Sequence, residues 1–254
     1  MFKPIAAIIG SLCVLSCAAE IASAAEIKVL AAGALRVAML QLVPEFQKST
    51  GHTVTIGYGP AGAIAGRVEK GEPADVVIVG RQQLAALENQ GNVLPGSRVN
   101  IAGVGIGVAV RKGASKPDIG SLDAFKRTLS AAKSIGHVNP STGSSSGIFT
   151  ASMLEKIGVA QALKPKIRLG TFEEIEHLVE KGEVEIQIGQ STELVSAPAL
   201  EYVGPLPGEI QNITQYAAGV VSTGRMPEAA KALIDFISTP AAVGLFKAKG
   251  YEPG

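Results

Sequence analysis

Three stretches of this chain are loaded with small and hydroxyl residues, and each follows an apolar run that reads as a strand. They are Ala31-Ala32-Gly33-Ala34-Leu35, Tyr58-Gly59-Pro60-Ala61-Gly62-Ala63-Ile64 and Asn139-Pro140-Ser141-Thr142-Gly143-Ser144-Ser145-Ser146-Gly147-Ile148. Small side chains let a ligand approach the backbone, and the third stretch adds hydroxyls. A strand that ends in such a turn and opens a helix aims free N–H groups and the positive end of the helix dipole beyond the sheet. A small anion is therefore the expected ligand. For any single stretch the alternative is a tight turn with a serine cap. No Gly-Lys-Ser/Thr follows any of them, which excludes a phosphate-binding P-loop.

Arg81 is the charge best placed for an anion. It follows Val76-Val77-Ile78-Val79-Gly80 at the expected carboxyl end of a strand. A guanidinium there can hold a carboxylate through two parallel hydrogen bonds. The alternative is a solvated residue in the first helical turn. Gln190 and Ser191, after Ile188-Gly189, occupy the equivalent place later in the chain. Arg67 reads as structural. His52, His137 and His177 lie far apart and neighbour no motif. His137 reads as a partly buried strand histidine or as one facing the same space as Asn139. Glu173, Glu174 and Glu176 read as a solvated helix face. No Gly-x-Ser-x-Gly elbow is present. Three histidines and two cysteines argue against a metal cluster, and no cofactor is expected.

Composition narrows the functions further. The 254 residues carry 23 Lys+Arg against 22 Asp+Glu, a formal charge of +1. No positive field exists to attract a phosphate backbone, so a nucleic-acid partner is not expected. With no Trp and four Tyr, stacking platforms for bases are scarce. At 46% hydrophobic and 18% charged, the chain is not a disordered tail.

Residues 1–25 read as an export signal. Lys3 precedes the apolar run Ile5 to Leu15, which is too short to span a bilayer, and Ser23-Ala24-Ala25 offers small residues for cleavage before Glu26. A buried first helix is the structural alternative. Val14-Leu15-Ser16-Cys17 also fits a lipoprotein signal, with Cys17 lipidated. Both readings place the mature chain outside the cytoplasm, in the periplasm. Cys13 and Cys17 lie in this segment, so cleavage after Ala25 leaves no cysteine. No other stretch reaches the ~18 apolar residues that a membrane span needs. A monomer is expected.

From Glu26 onward strand-like and helix-like segments alternate. Ile27–Ala31, His52–Tyr58 and Ala74–Val79 read as strands. Ala34–Lys48, Ala61–Lys70 and Gln82–Gln90 read as helices, with Pro44 kinking or restarting the first. After the glycine-rich strand Ile101–Val110 the rhythm repeats. A second β-rich run, Ile213–Val221, precedes the closing helix Pro227–Ile237. This predicts an α/β fold of two lobes, each a doubly wound, mostly parallel sheet flanked by helices, with a ligand cleft between them. Residues 26–106 and 218–254 form the first lobe and 107–217 the second. The crossings fall in Gly103–Gly107 and Tyr216–Gly219, and closure is a hinge motion there.

The stretch Ile64 to Val79, IAGRVEKGEPADVVIV, carries a helix, then Gly-x-Pro-x-Asp, then an apolar strand. Together with AAGALRVAMLQLVPEFQKSTG, NPSTGSSSGIFTASMLEKIGV and VEKGEVEIQIGQS it resembles the periplasmic molybdate-binding proteins of ABC importers, of the type 2 solute-binding fold, from about Glu26 to the C-terminus. The resemblance implies capture of an oxyanion for an ABC permease. It places the family's first ligand serine at Ala34, the second at Ala61 or Gly62, and the ligand tyrosine at Gln190. It places backbone N–H contacts at Ser146 and Phe172. The hydroxyls of the first two turns are thus gone, while Ser144, Ser145 and Ser146 add new ones, and Arg81 replaces a usual acidic residue. Gly33, beside Ala34, belongs to the same set. These departures favour a carboxylate over molybdate. One branch resembling this family is enzymatic, the bacterial aconitate isomerases, which shift an allylic proton between trans- and cis-aconitate without a cofactor. For that chemistry the base stays open among Tyr58, His137 and a bound water.

Overall fold

The computed structural model describes residues 24–254. The expected signal segment, with Cys13 and Cys17, lies outside the described residues except for Ala24 and Ala25. β1 (Glu26–Ala32) passes through a 3-10 turn at Gly33–Leu35 into α1 (Arg36–Thr50). β2 (Thr53–Gly59), α2 (Ala61–Glu69), β3 (Val76–Gly80) and α3 (Arg81–Asn89) follow. β4 (Val99–Arg111) leads to α4 (Leu122–Ala131), β5 (Ile135–Val138), α5 (Ser145–Lys156) and α6 (Ala160–Leu163). Next come β6 (Ile167–Gly170), α7 (Phe172–Glu180), β7 (Ile186–Gln190), α8 (Ser191–Ser196) and β8 (Leu200–Pro205). β9 (Ile213–Val220), α9 (Pro227–Ile237), α10 (Pro240–Ala248) and β10 (Glu252–Pro253) close the chain.

The strands run in the order β2-β1-β3-β9-β4-β7-β5-β6, with β8 and β10 also paired to β4. β4 is the strand both halves share. Val99 to Gly105 pairs antiparallel with β9, whereas Ile106 to Val110 pairs antiparallel with β7. In the first half β1 runs parallel to β2 and β3; in the second, β5 runs parallel to β6 and β7. Both halves are therefore α/β units of the expected kind.

Burial explains why these strands read as continuous apolar runs. Along β3, Val76 and Ile78 enter one core cluster with Leu35, Met39 and Phe46, while Val77 and Val79 enter the opposite cluster with Ile64, Leu84 and Leu87. A strand covered by helices on both faces cannot alternate with polar residues. In the second half Ile106, Val108, Ile186 and Ile188 pack on Phe125, Leu129 and Met153. The other face holds Ile175, Val179 and Leu194.

Two expectations shift. α1 runs unbroken through Pro44, whose residue is exposed and whose i−4 neighbour Leu40 is 66% exposed, so the unpaired Leu40 carbonyl can face water. The return crossing precedes Ile213, because β9 pairs with the first half from its first residue; it does not fall between 217 and 218. The side chain of Gln211 marks the place. Its Oε1 accepts from the Ile106 N–H and its Nε2 donates to the Ile106 carbonyl, both at 2.9 Å. One amide thus substitutes for a strand partner where β4 changes sheets.

Asp75, the acid of the Gly-x-Pro-x-Asp stretch, is 5% exposed. Its carboxylate accepts from the N–H groups of Lys28 (2.8 Å), Arg225 (2.8 Å) and Met226 (3.1 Å). It ties β1 to the turn before α9 across the sheet. Hydrogen bonds to a charged group contribute about 1.5–3 kcal/mol each, and orphaned buried donors cost more. Asp75→Ala is expected to lower the unfolding free energy by about 3 kcal/mol or more, read from urea melts followed by circular dichroism.

Candidate functional site

The carboxyl ends of β1, β2, β5 and β7 face a cavity of about 550 Å³ between the two halves. Gly33 and Ala34 enter it from the turn after β1, and Ala61 from the start of α2. Ser144, Ser145 and Ser146 enter from the start of α5, Phe172 from the start of α7, and Gln190 from the end of β7. Residues spread over more than 150 positions of sequence share one wall because each follows a strand in an α/β unit, where chain direction sends every strand-to-helix turn the same way.

Gly62 does not line the cavity; it closes one edge. Its N–H donates to the Gly143 carbonyl at 3.0 Å, joining the two halves. A Cβ on Gly62 would lie 2.7 Å from Gly143 Cα and 2.8 Å from its carbonyl oxygen, so only glycine permits this approach.

Arg81 lies outside the cavity, contrary to expectation. It is exposed at the start of α3 and borders a shallow surface depression with Gln82, Ala85, Arg98 and Asn100. Gly80 takes the inward position: a Cβ there would be 4.0 Å from the Ser145 hydroxyl. The next residue along the chain is turned to solvent. His137 is also removed from the cavity lining. It is buried in β5 with Nδ1 3.0 Å from the Val138 carbonyl, and desolvation holds its pKa below the usual histidine value.

The positive charge in the cavity is Arg36, in the first turn of α1. Its guanidinium lies over the Tyr58 ring, 4.9 Å from the centroid, and reaches Glu173 of α7 at 4.0 Å across the opening. Both partners of that ion pair are largely exposed, so the pair itself is weak. Arg36 follows the first small-residue turn directly, which was a readable signal. Tyr58 is half-buried, and burial pushes its phenol up to about 12, against the lowering influence of Arg36. It keeps its proton near neutrality.

Glu193, on α8, also faces the cavity, and nothing in its local sequence distinguishes it. Its Oε1 packs against Gly33, 2.9 Å from where a Cβ would sit. Burial raises its pKa to about 7; Glu173 adds to the rise and Arg36 opposes it. Beside it, Tyr216 is buried, and desolvation, then the charge of Glu193, raise its phenol well above the usual range. Gln190 Nε2 donates to the Tyr216 hydroxyl at 3.0 Å, while the buried Gln190 Oε1 has no partner among the described residues. A half-turn of that amide would exchange the ends and turn its N–H donors inward.

Backbone donors complete the wall. No side chain caps the 3-10 turn at Gly33–Leu35, α2 or α8. Side chains do cap α5 and α7 at the cavity, through Ser144 and Thr171, as Ser121 and Thr239 cap α4 and α10 away from it. Uncapped starts leave N–H groups that need an acceptor. At α5 the Ser144 hydroxyl accepts from the Gly147 N–H and lies 3.1 Å from the Ser146 hydroxyl, so one hydroxyl proton of that pair is free to point inward. Among the described residues no three His, Cys, Asp or Glu side chains gather into a metal-binding group. The arrangement suits an anion that accepts hydrogen bonds from several sides.

The profile of the family described as bacterial extracellular solute-binding protein matches residues 27–252. The chain belongs to that family. The solute-binding chain is 32% identical over 231 residues to the aconitate isomerase of a Pseudomonas species, covering 89% of this chain and 87% of that protein. It is 27% identical over 245 residues to the molybdate-binding protein ModA of Azotobacter vinelandii, covering 93% and 92%. The solved structure of the Azotobacter vinelandii periplasmic molybdate-binding protein superimposes with a TM-score of 0.76 at 22% identity, covering 90% of this chain and 99% of that one, and shares the type 2 fold. Among the described residues no single helix is long and apolar enough to cross a membrane.

In this solute-binding fold the Gly62–Gly143 contact sets how near the halves approach. Gly62→Ala is expected to prop the cleft open and to weaken ligand binding at least tenfold in isothermal titration. That corresponds to about 1.4 kcal/mol. The melting curve is expected to change little, since the contact lies outside both cores.

Proposed function

We propose that this protein captures a small polycarboxylate in the cavity between its halves and delivers it to an ABC permease. On this reading residues 1–25 direct export to the periplasm and are removed, and the mature chain works as a monomer. The observation that carries the reading is that Arg36 and the serines of α5 line one cavity. A guanidinium together with hydroxyl and N–H donors matches carboxylate groups carried on a short carbon frame.

Molybdate fits less well. Its family donors would be hydroxyls at Ala34 and at Ala61 or Gly62, and this chain has none there. A missing hydroxyl donor to a buried anion costs about 1.5–3 kcal/mol, roughly tenfold to a hundredfold in affinity. The cavity is also much larger than one tetrahedral oxyanion requires.

A second reading, cofactor-independent isomerisation of aconitate, is favoured by a specific pair of observations. The Pseudomonas relative bearing that name shares 32% identity. A carboxyl group with a pKa near 7 stands inside the cavity at Glu193. The two readings use the same ligand class and the same cleft.

Isothermal titration with trans-aconitate and with molybdate tests capture. Trans-aconitate is expected to bind, and more tightly than molybdate. Arg36→Ala is expected to weaken the tricarboxylate by roughly tenfold to a hundredfold. Arg81→Ala is expected to leave it unchanged, because Arg81 stands outside the cavity. Molybdate binding tighter than any carboxylate would overturn the carboxylate assignment.

A further inference from the structure

Glu193 stands out among the cavity groups because its carboxyl takes no hydrogen bond from the described residues. Its carboxyl presses on Gly33, shares the cavity with Arg36 and Gln190, and lies close enough to Tyr216 and Tyr251 to raise both phenols. A structural carboxylate would be expected to accept hydrogen bonds, as Asp75 does from three N–H groups. Glu193 takes none from the described residues, although uncapped N–H groups and serine hydroxyls line the same space.

We propose that Glu193 is the proton-transferring residue of this cavity, acting on a bound polycarboxylate that carries a methylene next to a carbon–carbon double bond. This rests on the tricarboxylate reading above and names the group that would make it chemistry. The step balances without a cofactor. The ionised Glu193 takes a proton from the allylic methylene, and the C–H electrons form the new double bond. The electrons of the old double bond collect on its far carbon and the adjoining carboxylate. The protonated Glu193 exchanges its proton with water and then delivers one to that far carbon. Nothing is oxidised or reduced, and the residue ends as it began. The intermediate carries one additional negative charge. Arg36, the α5 hydroxyls and the uncapped N–H groups of the wall are placed to stabilise it.

The other groups of the cavity do not compete for this role. Tyr58 holds its proton too strongly to serve as a base near neutrality, and Tyr216 more so. Glu173 and Glu176 stand at the opening on α7, where Glu173 faces Arg36 and Glu176 reaches the Ala199 N–H at 3.4 Å. His137 is not in the lining. A carboxyl poised near neutrality holds both of its forms in comparable amounts, as a residue that must first accept and then donate requires.

The test is proton NMR of trans-aconitate with the full-length mature protein in deuterated buffer. The wild type is expected to form cis-aconitate and to introduce deuterium at the methylene carbon. Its kcat/KM is expected to fall below a limb near pH 7, where Glu193 becomes protonated. Glu193→Gln is expected to lose about a hundredfold to ten-thousandfold of turnover. It should keep the thermal shift that trans-aconitate gives the wild type. Glu193→Asp is expected to retain partial activity with a displaced limb, and it serves as the second variant if the glutamine form fails to fold. Turnover of Glu193→Gln close to the wild-type rate would overturn the assignment and leave isomerisation standing. Binding with neither turnover nor exchange in the wild type would overturn proton transfer and leave capture standing. No tricarboxylate binding by the wild type would overturn the underlying reading itself.

Discussion

Backbone N–H groups at the starts of helices must find acceptors, and at three of the strand-to-helix junctions of this protein no side chain supplies one. The turn after β1 and the starts of α2 and α8 carry no capping side chain, and all three open on the same cavity. That shared deficit organises the rest. It needs the strand directions of both halves to agree, and β4 enforces this by belonging to both sheets. It needs the halves to meet closely, and the Gly62–Gly143 contact allows it. The two pairs of core clusters hold the sheets rigid behind the open ends.

Acids outnumber the one base in the cavity lining, and this shapes what can bind. One guanidinium, Arg36, faces Glu173, Glu176 and Glu193. Two of the acids stand at the rim, where water screens them. The third is buried enough that its proton is retained up to about pH 7. An anion entering beside Glu193 favours the protonated form still further, so the carboxyl becomes a donor when the ligand needs one. The same residue that would repel an anion when ionised is thereby able to hydrogen-bond to it when neutral, and to exchange a proton with it.

The fold was legible because its signals are local and repeated. Parallel strands buried on both faces must be apolar throughout, and Val76 to Val79 cannot be read as anything else. Small residues after such strands mark the turns that line the cavity. Gly33, Ala34, Ala61, Ser144, Ser145 and Ser146 were accessible to sequence reasoning for that reason, whereas Phe172 and Gln190 came from the family resemblance, Gln190 also from its place at the end of a strand. The strand β8 was not, since Gly204 and Pro205 give its end the look of a loop. Its pairing with β4 is a long-range contact that no local pattern encodes.

What the sequence determined by itself was periodicity, and periodicity fixes which residues end strands and which begin helices. It could not say which way a side chain beside such a junction turns. Arg81 and Arg36 both follow a strand and open a helix, yet one faces solvent and the other the cavity. The difference lies in how each helix leans on its neighbours, with Gly80 rather than Arg81 presented to Ser145. Glu193 was hidden more completely. An acid on a short helix is ordinary in sequence, and only the packing of α8 against the turn at Gly33 desolvates it. Burial is a property of three-dimensional neighbours, so the pKa that makes Glu193 chemically distinct exists only once the chain has folded.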